Sequence, residues 1–152
     1  MNRFTGSVDA KVDAKGRIFI PVVFRKILQE TEELCLILHK DIHQNSLVLY
    51  TEASWESNLN SVREKLNRYN EEHQRFYRQY VMNTETLELD ANGRILIPKR
   101  YLQEAGISKE VRFLGVDDTI EIWNVEKLEE TLFDAQTFRE TDRKSTRLNS
   151  SH

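Results

Sequence analysis

Nine residues are written almost identically twice in this chain. "DAKGRIFIP" occupies residues 13–21 and "DANGRILIP" residues 90–98, 77 positions apart with seven identities in nine. The likeness spreads outward at the same offset. Phe4, Ala10 and Val12 align with Val81, Leu87 and Leu89, and "LCLIL" (34–38) aligns with "VRFLG" (111–115). After a loop four residues shorter in the second copy, "SLVLY" (46–50) matches "TIEIW" (119–123), and Trp55 and Leu59 match Leu128 and Leu132. The chain is a duplication. A unit of roughly 45 residues buries too little surface to stand alone. The two copies are therefore expected to interlock into one core, an intrachain pseudo-dimer.

Local chemistry sets the elements of each copy. "RIFIP" and "RILIP" alternate an apolar residue with a polar or aromatic one, the pattern of a half-buried strand. Gly16 and Gly93, each just before an arginine, supply the positive φ of a tight hairpin turn. Pro21 and Pro98 preset φ for a helix start, giving short helices over "VVFRKIL" (22–28) and "KRYLQEAG" (99–106), the second stopped by Gly106. Each unit then reads strand, tight turn, strand, short helix, strand, turn, strand. The fold class is α+β and β-rich.

Between the copies, residues 54–81 carry Trp55, Leu59, Val62, Leu66, Tyr69, His73, Phe76 and Tyr80 at alternating spacings of four and three. That is an apolar stripe along one helix, with an interruption near Asn70 and Ser54 as the N-cap. The stripe suits packing against the chain's own core or a contact between subunits. The organisation is thus unit 1 over 3–53, an amphipathic helical connector over 54–79, and unit 2 with its following helix over 80–133. The last eleven residues, "DRKSTRLNSSH" (142–152), match the translation of a widely used sequencing adapter and are expected to be read-through rather than native sequence.

Net charge is −3, and it falls to −5 once the three cations and one aspartate of that tail are set aside. Position matters more than the sum. Residues 1–30 hold Arg3, Lys11, Lys15, Arg17, Arg25 and Lys26 against three acids. An acidic body with basic tips is expected. No apolar run is long enough to span a bilayer, and the N-terminus lacks the apolar stretch of a signal peptide, which points to a cytoplasmic protein without a membrane partner. Cys35 is the single cysteine, expected to be a buried, inert thiol.

The repeated Asp-x-x-x-Arg, Asp13–Arg17 and Asp90–Arg94, has a plain structural reading: the aspartate accepts the turn amides and the arginine pairs with it. Arginine at the same place twice, with Lys15, Lys99 and Arg100 nearby, exceeds what a turn needs. A guanidinium on a rigid hairpin suits phosphate oxygens or guanine edges, which it grips bidentately.

With its amphipathic connector and the segments "LVLYTEASWE" and "GRILIPKRYL", this duplicated signature resembles the MraZ family of bacterial transcriptional regulators over residues 3–133. The resemblance implies a tandem of AbrB-like swapped-hairpin units. It also implies a ring-forming homo-oligomer that binds double-stranded DNA at promoter direct repeats upstream of the division and cell-wall gene cluster, a nucleoid-associated role. Carried over by position, Arg17 and Arg94 are the principal DNA contacts, with Asp13 and Asp90 orienting them or bracing the turn. Gly16 and Gly93 let the backbone approach DNA. Lys15 adds a contact that its counterpart Asn92 lacks, and Arg3 and Lys11 contribute phosphate contacts.

No enzyme is expected, and neither a cofactor nor a small-molecule substrate. Nucleophile elbow, phosphate-cradling loop and Cys/His cluster are all missing from the sequence. The Asp13/Asp90 pair is followed by alanine and flanked by arginine, unlike an aspartic-protease dyad. His39 and His43 straddle a strand end and a loop rather than sharing a metal-binding helix face. The rival reading is an antitoxin-like or other protein-interaction module of swapped-hairpin fold.

Overall fold

The computed structural model describes residues 3–147. Its elements are β1 (Ser7–Lys11), β2 (Arg17–Phe19), α1 (Val22–Glu30), β3 (Cys35–Lys40), β4 (Ser46–Thr51), α2 (Glu52–Glu64), α3 (Glu71–Met82), β5 (Thr84–Glu88), β6 (Arg94–Leu96), α4 (Lys99–Glu104), β7 (Glu110–Val116), β8 (Thr119–Asn124), α5 (Val125–Thr131) and α6 (Ala135–Asp142). A π-helical turn, Arg143–Arg147, follows. Of the suspected read-through segment, residues 142–147 fall in these last two elements, and 148–152 lie outside the described residues.

The two copies exchange strands. A six-stranded antiparallel sheet runs β1-β7-β8-β4-β3-β5, and β2 pairs with β6 in a separate two-stranded ribbon. Unit 1 thus lends β1 to β7 of unit 2, and unit 2 lends β5 to β3 of unit 1. The central β4–β8 pair joins the halves. One cluster of buried residues draws on both copies, with Ile18, Phe24, Leu36 and Leu49 from the first and Ile95, Tyr101, Phe113 and Ile122 from the second. Phe4 meets Phe24 edge-to-face at 5.9 Å. Fully burying such a side chain contributes about 1.5–3 kcal/mol, and the cluster that does so draws on both copies.

The two short helices end alike but with different residues. Gly106 closes α4 at φ +68°, its N–H reaching the Gln103 carbonyl while the Ile107 N–H reaches Leu102 at 2.8 Å. On α1, Glu32 takes that left-handed position at φ +57°, and the Glu33 N–H bonds the Leu28 carbonyl at 2.8 Å. A side chain there is strained by about 1 kcal/mol or more. Glu32→Gly is therefore expected to stabilise the fold by about 0.5–1 kcal/mol, read as a higher urea midpoint at unchanged slope.

The connector breaks near Asn70, as expected, and departs from the sequence reading at its N-cap. The interruption divides it into two helices: Asn70 caps α3 by accepting from the Glu72 and His73 amides, and the Asn67 N–H donates to His73 Nδ1 at 2.8 Å within the break. The helices lie antiparallel, tied by Asn58 Nδ2–H to Tyr80 Oη at 2.8 Å and Arg63 Nη1–H to Tyr77 Oη at 3.3 Å. The N-cap of α2 is Thr51, not Ser54, which sits at the third helical position of a reciprocal capping box. Threonine wins because the strand ends at that residue, so its hydroxyl is already extended toward the first free amides.

Only the base of this hairpin is anchored. His39, 3 % exposed, donates through Nε2–H to the Tyr80 carbonyl at 3.2 Å and lies against the Trp55 and Tyr80 rings. No residue of α3 is buried, and farther out Tyr69 and Phe76 are exposed. Cys35 is half-buried rather than buried, because it begins β3 beside Glu52. Desolvation, reinforced by Glu52, raises its thiol pKa and so disfavours the thiolate.

Candidate nucleic-acid interface

Each Asp-x-x-x-Arg segment folds into the same closed turn. The Asp13 N–H donates to the Arg17 carbonyl at 2.9 Å, and Gly16 N–H returns to the Asp13 carbonyl at 3.0 Å. The Asp13 carboxylate accepts the Lys15 and Arg17 amides through one oxygen, both at 2.9 Å, and Arg17 Nε–H through the other at 2.7 Å. Asp90 repeats this with Asn92, Arg94 and Arg94 Nε–H at 2.9, 2.8 and 3.0 Å. The amide of the arginine is the main reason each carboxyl sits below the ordinary aspartate value, with the guanidinium adding to it. Both aspartates are charged well into the acid range.

The ion pair and a role in recognition do not compete. The aspartate engages only the Nε edge, and the terminal Nη1 and Nη2 of both arginines have no hydrogen-bond partner among the described residues. A guanidinium fixed by one edge keeps its two-pronged end for a ligand.

The hairpins open beyond this first rung, and there the arrangement differs from two separate tips. β2 and β6 pair antiparallel, with Arg17 opposite Leu96, Ile18 opposite Ile95 and Phe19 opposite Arg94. The 77-residue offset maps the first pair onto the last. Ile18 and Ile95 face the core at 1 % exposure each, so Arg17, Arg94, Phe19 and Leu96 share the outer face of one ribbon. The two arginines are not equal on it. The Arg94 guanidinium lies 5.7 Å from the Phe19 ring centroid and its side chain is 23 % exposed, against 37 % for Arg17.

Gly16 and Gly93 serve the pairing of the copies. Gly16 has φ +91°, and a Cβ there would stand 2.7 Å from the Ile97 carbonyl oxygen. Its own carbonyl accepts the Ile97 N–H at 2.9 Å, as that of Gly93 accepts the Ile20 N–H at 3.0 Å. At Gly93, φ +83°, a Cβ would meet the Arg25 side chain instead.

Lys15 shares a 250 Å³ cleft with Lys99 of the other copy, so both cations flank the first turn. Lys11 ends β1 opposite Glu110, two residues before Asp13. Arg3 is not brought to the ribbon. It pairs with Asp117 at the far end of β1, beside the Phe4–Asp117 bridge. Arg100 is held within its own unit, over Tyr101 at 4.6 Å and 3.8 Å from Glu85.

Sequence reasoning passed over Arg25. Its Nη1–H donates to the Asn92 carbonyl at 3.3 Å, placing a cation from α1 at the second turn, where Asn92 replaces the lysine of the first. Its place one turn after Pro21 was the available signal, but only strand exchange brings it to the other copy's turn.

Comparison with known proteins agrees with this architecture. The model of the MraZ protein family, described as antitoxin-like, matches twice, over residues 3–79 and 80–150. A relative from Phocaeicola vulgatus is 56 % identical over 124 residues, 82 % of this chain and 80 % of its own. Another, from Bacteroides fragilis, is 50 % identical over 138 residues, 91 % and 87 % of the two chains. A third, from Christiangramia forsetii, is 34 % identical over 135 residues, 89 % and 86 % of the two. All three are named transcriptional regulator MraZ, and none is named as an enzyme. With its duplicated Asp-x-x-x-Arg turns, exchanged strands and both halves matched, the chain belongs to the MraZ family.

Proposed function

We propose that this protein is a sequence-specific DNA-binding transcriptional regulator that reads promoter direct repeats with the β2–β6 ribbon. The observation that carries the reading is the pair of guanidiniums braced at Nε and unbonded at both Nη atoms, on a ribbon of a width that a major groove admits. The names of the relatives point the same way. Its target is the division and cell-wall gene cluster, and its place is the cytoplasm, on the nucleoid.

One ribbon with a few cations binds DNA weakly, since affinity follows the number of phosphates neutralised. A ring of copies overcomes this by raising effective concentration. Rings arise from head-to-tail contacts, and such a ring meets direct repeats about one helical turn apart rather than palindromes. The exposed outer part of the α2–α3 hairpin supplies apolar surface for a neighbour, as do Leu132, Phe133 and Phe138 at the other end of the chain.

Titration of the protein's own upstream DNA and of a scrambled duplex across a salt series tests the reading. Tight binding that prefers the repeats is expected, with log K falling by about 0.9 per phosphate contacted for each decade of salt. Equal, weak binding to both duplexes overturns it. That result would favour the antitoxin-like reading, in which the same exposed C-terminal apolar residues receive a protein partner.

A further inference from the structure

The ribbon exposes more than charge. Phe19 and Leu96 are each 55 % exposed on its outer face, interleaved diagonally with Arg17 and Arg94 by the antiparallel register. Neither is needed for the core, which the ribbon reaches through Ile18 and Ile95. A large apolar side chain displayed between two arginines on a narrow two-stranded ribbon calls for a ligand that is both anionic and locally apolar. The major groove is such a surface: phosphate oxygens and guanine edges lie beside the 5-methyl groups of thymine.

We infer that Phe19 and Leu96 are specificity-determining residues that read thymine methyl groups beside the bases or phosphates taken by Arg94 and Arg17. The inference rests on the ribbon being the DNA-facing element. The two halves read unequally. Phe19 is large and carries the Arg94 guanidinium over its ring, so ring and cation present as one unit, whereas Leu96 opposite Arg17 offers a smaller surface and no stacking partner. A site for this protein therefore carries thymine in at least one half of each repeat, and the stricter requirement falls on the half met by Phe19.

Removing only the methyl groups tests this. The full-length protein is titrated with its upstream duplex in which each thymine is replaced, one at a time, by uracil. For the unaltered protein, at least one position per repeat is expected to weaken binding about fourfold, the worth of one buried methyl-sized group. Phe19→Ala abolishes the penalty at one such position and Leu96→Ala at another, while Phe19→Leu retains part of it. The salt slope stays the same in all variants, because no phosphate contact is removed.

Sequence-specific binding that is indifferent to every uracil substitution overturns the inference and leaves the DNA-binding reading standing. Penalties that persist unchanged in Phe19→Ala and Leu96→Ala overturn it as well, since the methyls are then read elsewhere. Absence of any preference for the upstream duplex removes the inference together with the reading it rests on.

Discussion

With Arg17 and Arg94 both replaced by alanine, affinity for the protein's own upstream DNA is expected to fall at least about a hundredfold, with no change in the protein's size in solution. A well-placed bidentate guanidinium contributes about 1–3 kcal/mol, and each 1.4 kcal/mol is a factor of ten. Two such losses compound within each copy of the chain, and in the proposed ring multivalent binding would amplify them. The fold should tolerate the change, because exposed ion pairs contribute little to stability and both turns keep the aspartate-to-amide bonds. Of the single variants, Arg17→Ala should cost more than Arg94→Ala, since Arg94 is partly engaged by Phe19. Fluorescence anisotropy at fixed salt, with size-exclusion chromatography for assembly, reads both effects. Unchanged affinity in the double variant would remove the ribbon as the contact surface.

The largest loss of stability is expected at Gly16. An alanine at φ +91° bears a strain of about 1–2 kcal/mol, and its Cβ meets a backbone carbonyl that cannot retreat without breaking the rung between the copies. Overpacking of this kind adds about 1–3 kcal/mol. Gly16→Ala should thus destabilise by about 2–5 kcal/mol. Gly93→Ala has the same backbone strain at φ +83°, but its obstacle is the end of the Arg25 side chain, which swings aside. About 1–2 kcal/mol is expected there, together with loss of the Arg25 bond to Asn92. Denaturant midpoints for the two variants make the comparison. Equal losses would mean that backbone strain alone matters and that the copies are less tightly apposed at Gly16.

Local chemistry made the turns, the proline-led helices and the alternating strands readable in the sequence. Gly16 and Gly93 have the positive φ expected of them, and Pro21 and Pro98 stand at the helix starts. Interlocking of the copies followed from their size. What could not be read was which strand pairs with which, because alternation in "RIFIP" is the same whether its partner lies in the same copy or the other. The consequences of pairing were hidden with it: Arg25 at the opposite turn, Arg17 and Arg94 on one face, and the glycines as contact points between copies. The apolar stripe of the connector does not itself mark the break. Its period runs on through residues 65–70, while the break expected near Asn70 is held by polar side chains: Asn70 accepts the Glu72 and His73 amides at the start of α3, and His73 accepts the Asn67 amide within the break.

The strand exchange has a consequence for synthesis and for divergence. A nascent chain that has produced only its first half holds a β1 without β7 and a β2 without β6, so it cannot complete its core on the ribosome until the second half emerges. Until then the apolar face of the N-terminal half stays uncovered. Once both halves are on one polypeptide, however, assembly of the pseudo-dimer no longer depends on concentration, and neither copy need remain identical to the other. Lys15 against Asn92 and Phe19 against Leu96 are differences that a symmetric dimer of single units could not have held at one interface. Fusion gave this ribbon a left and a right.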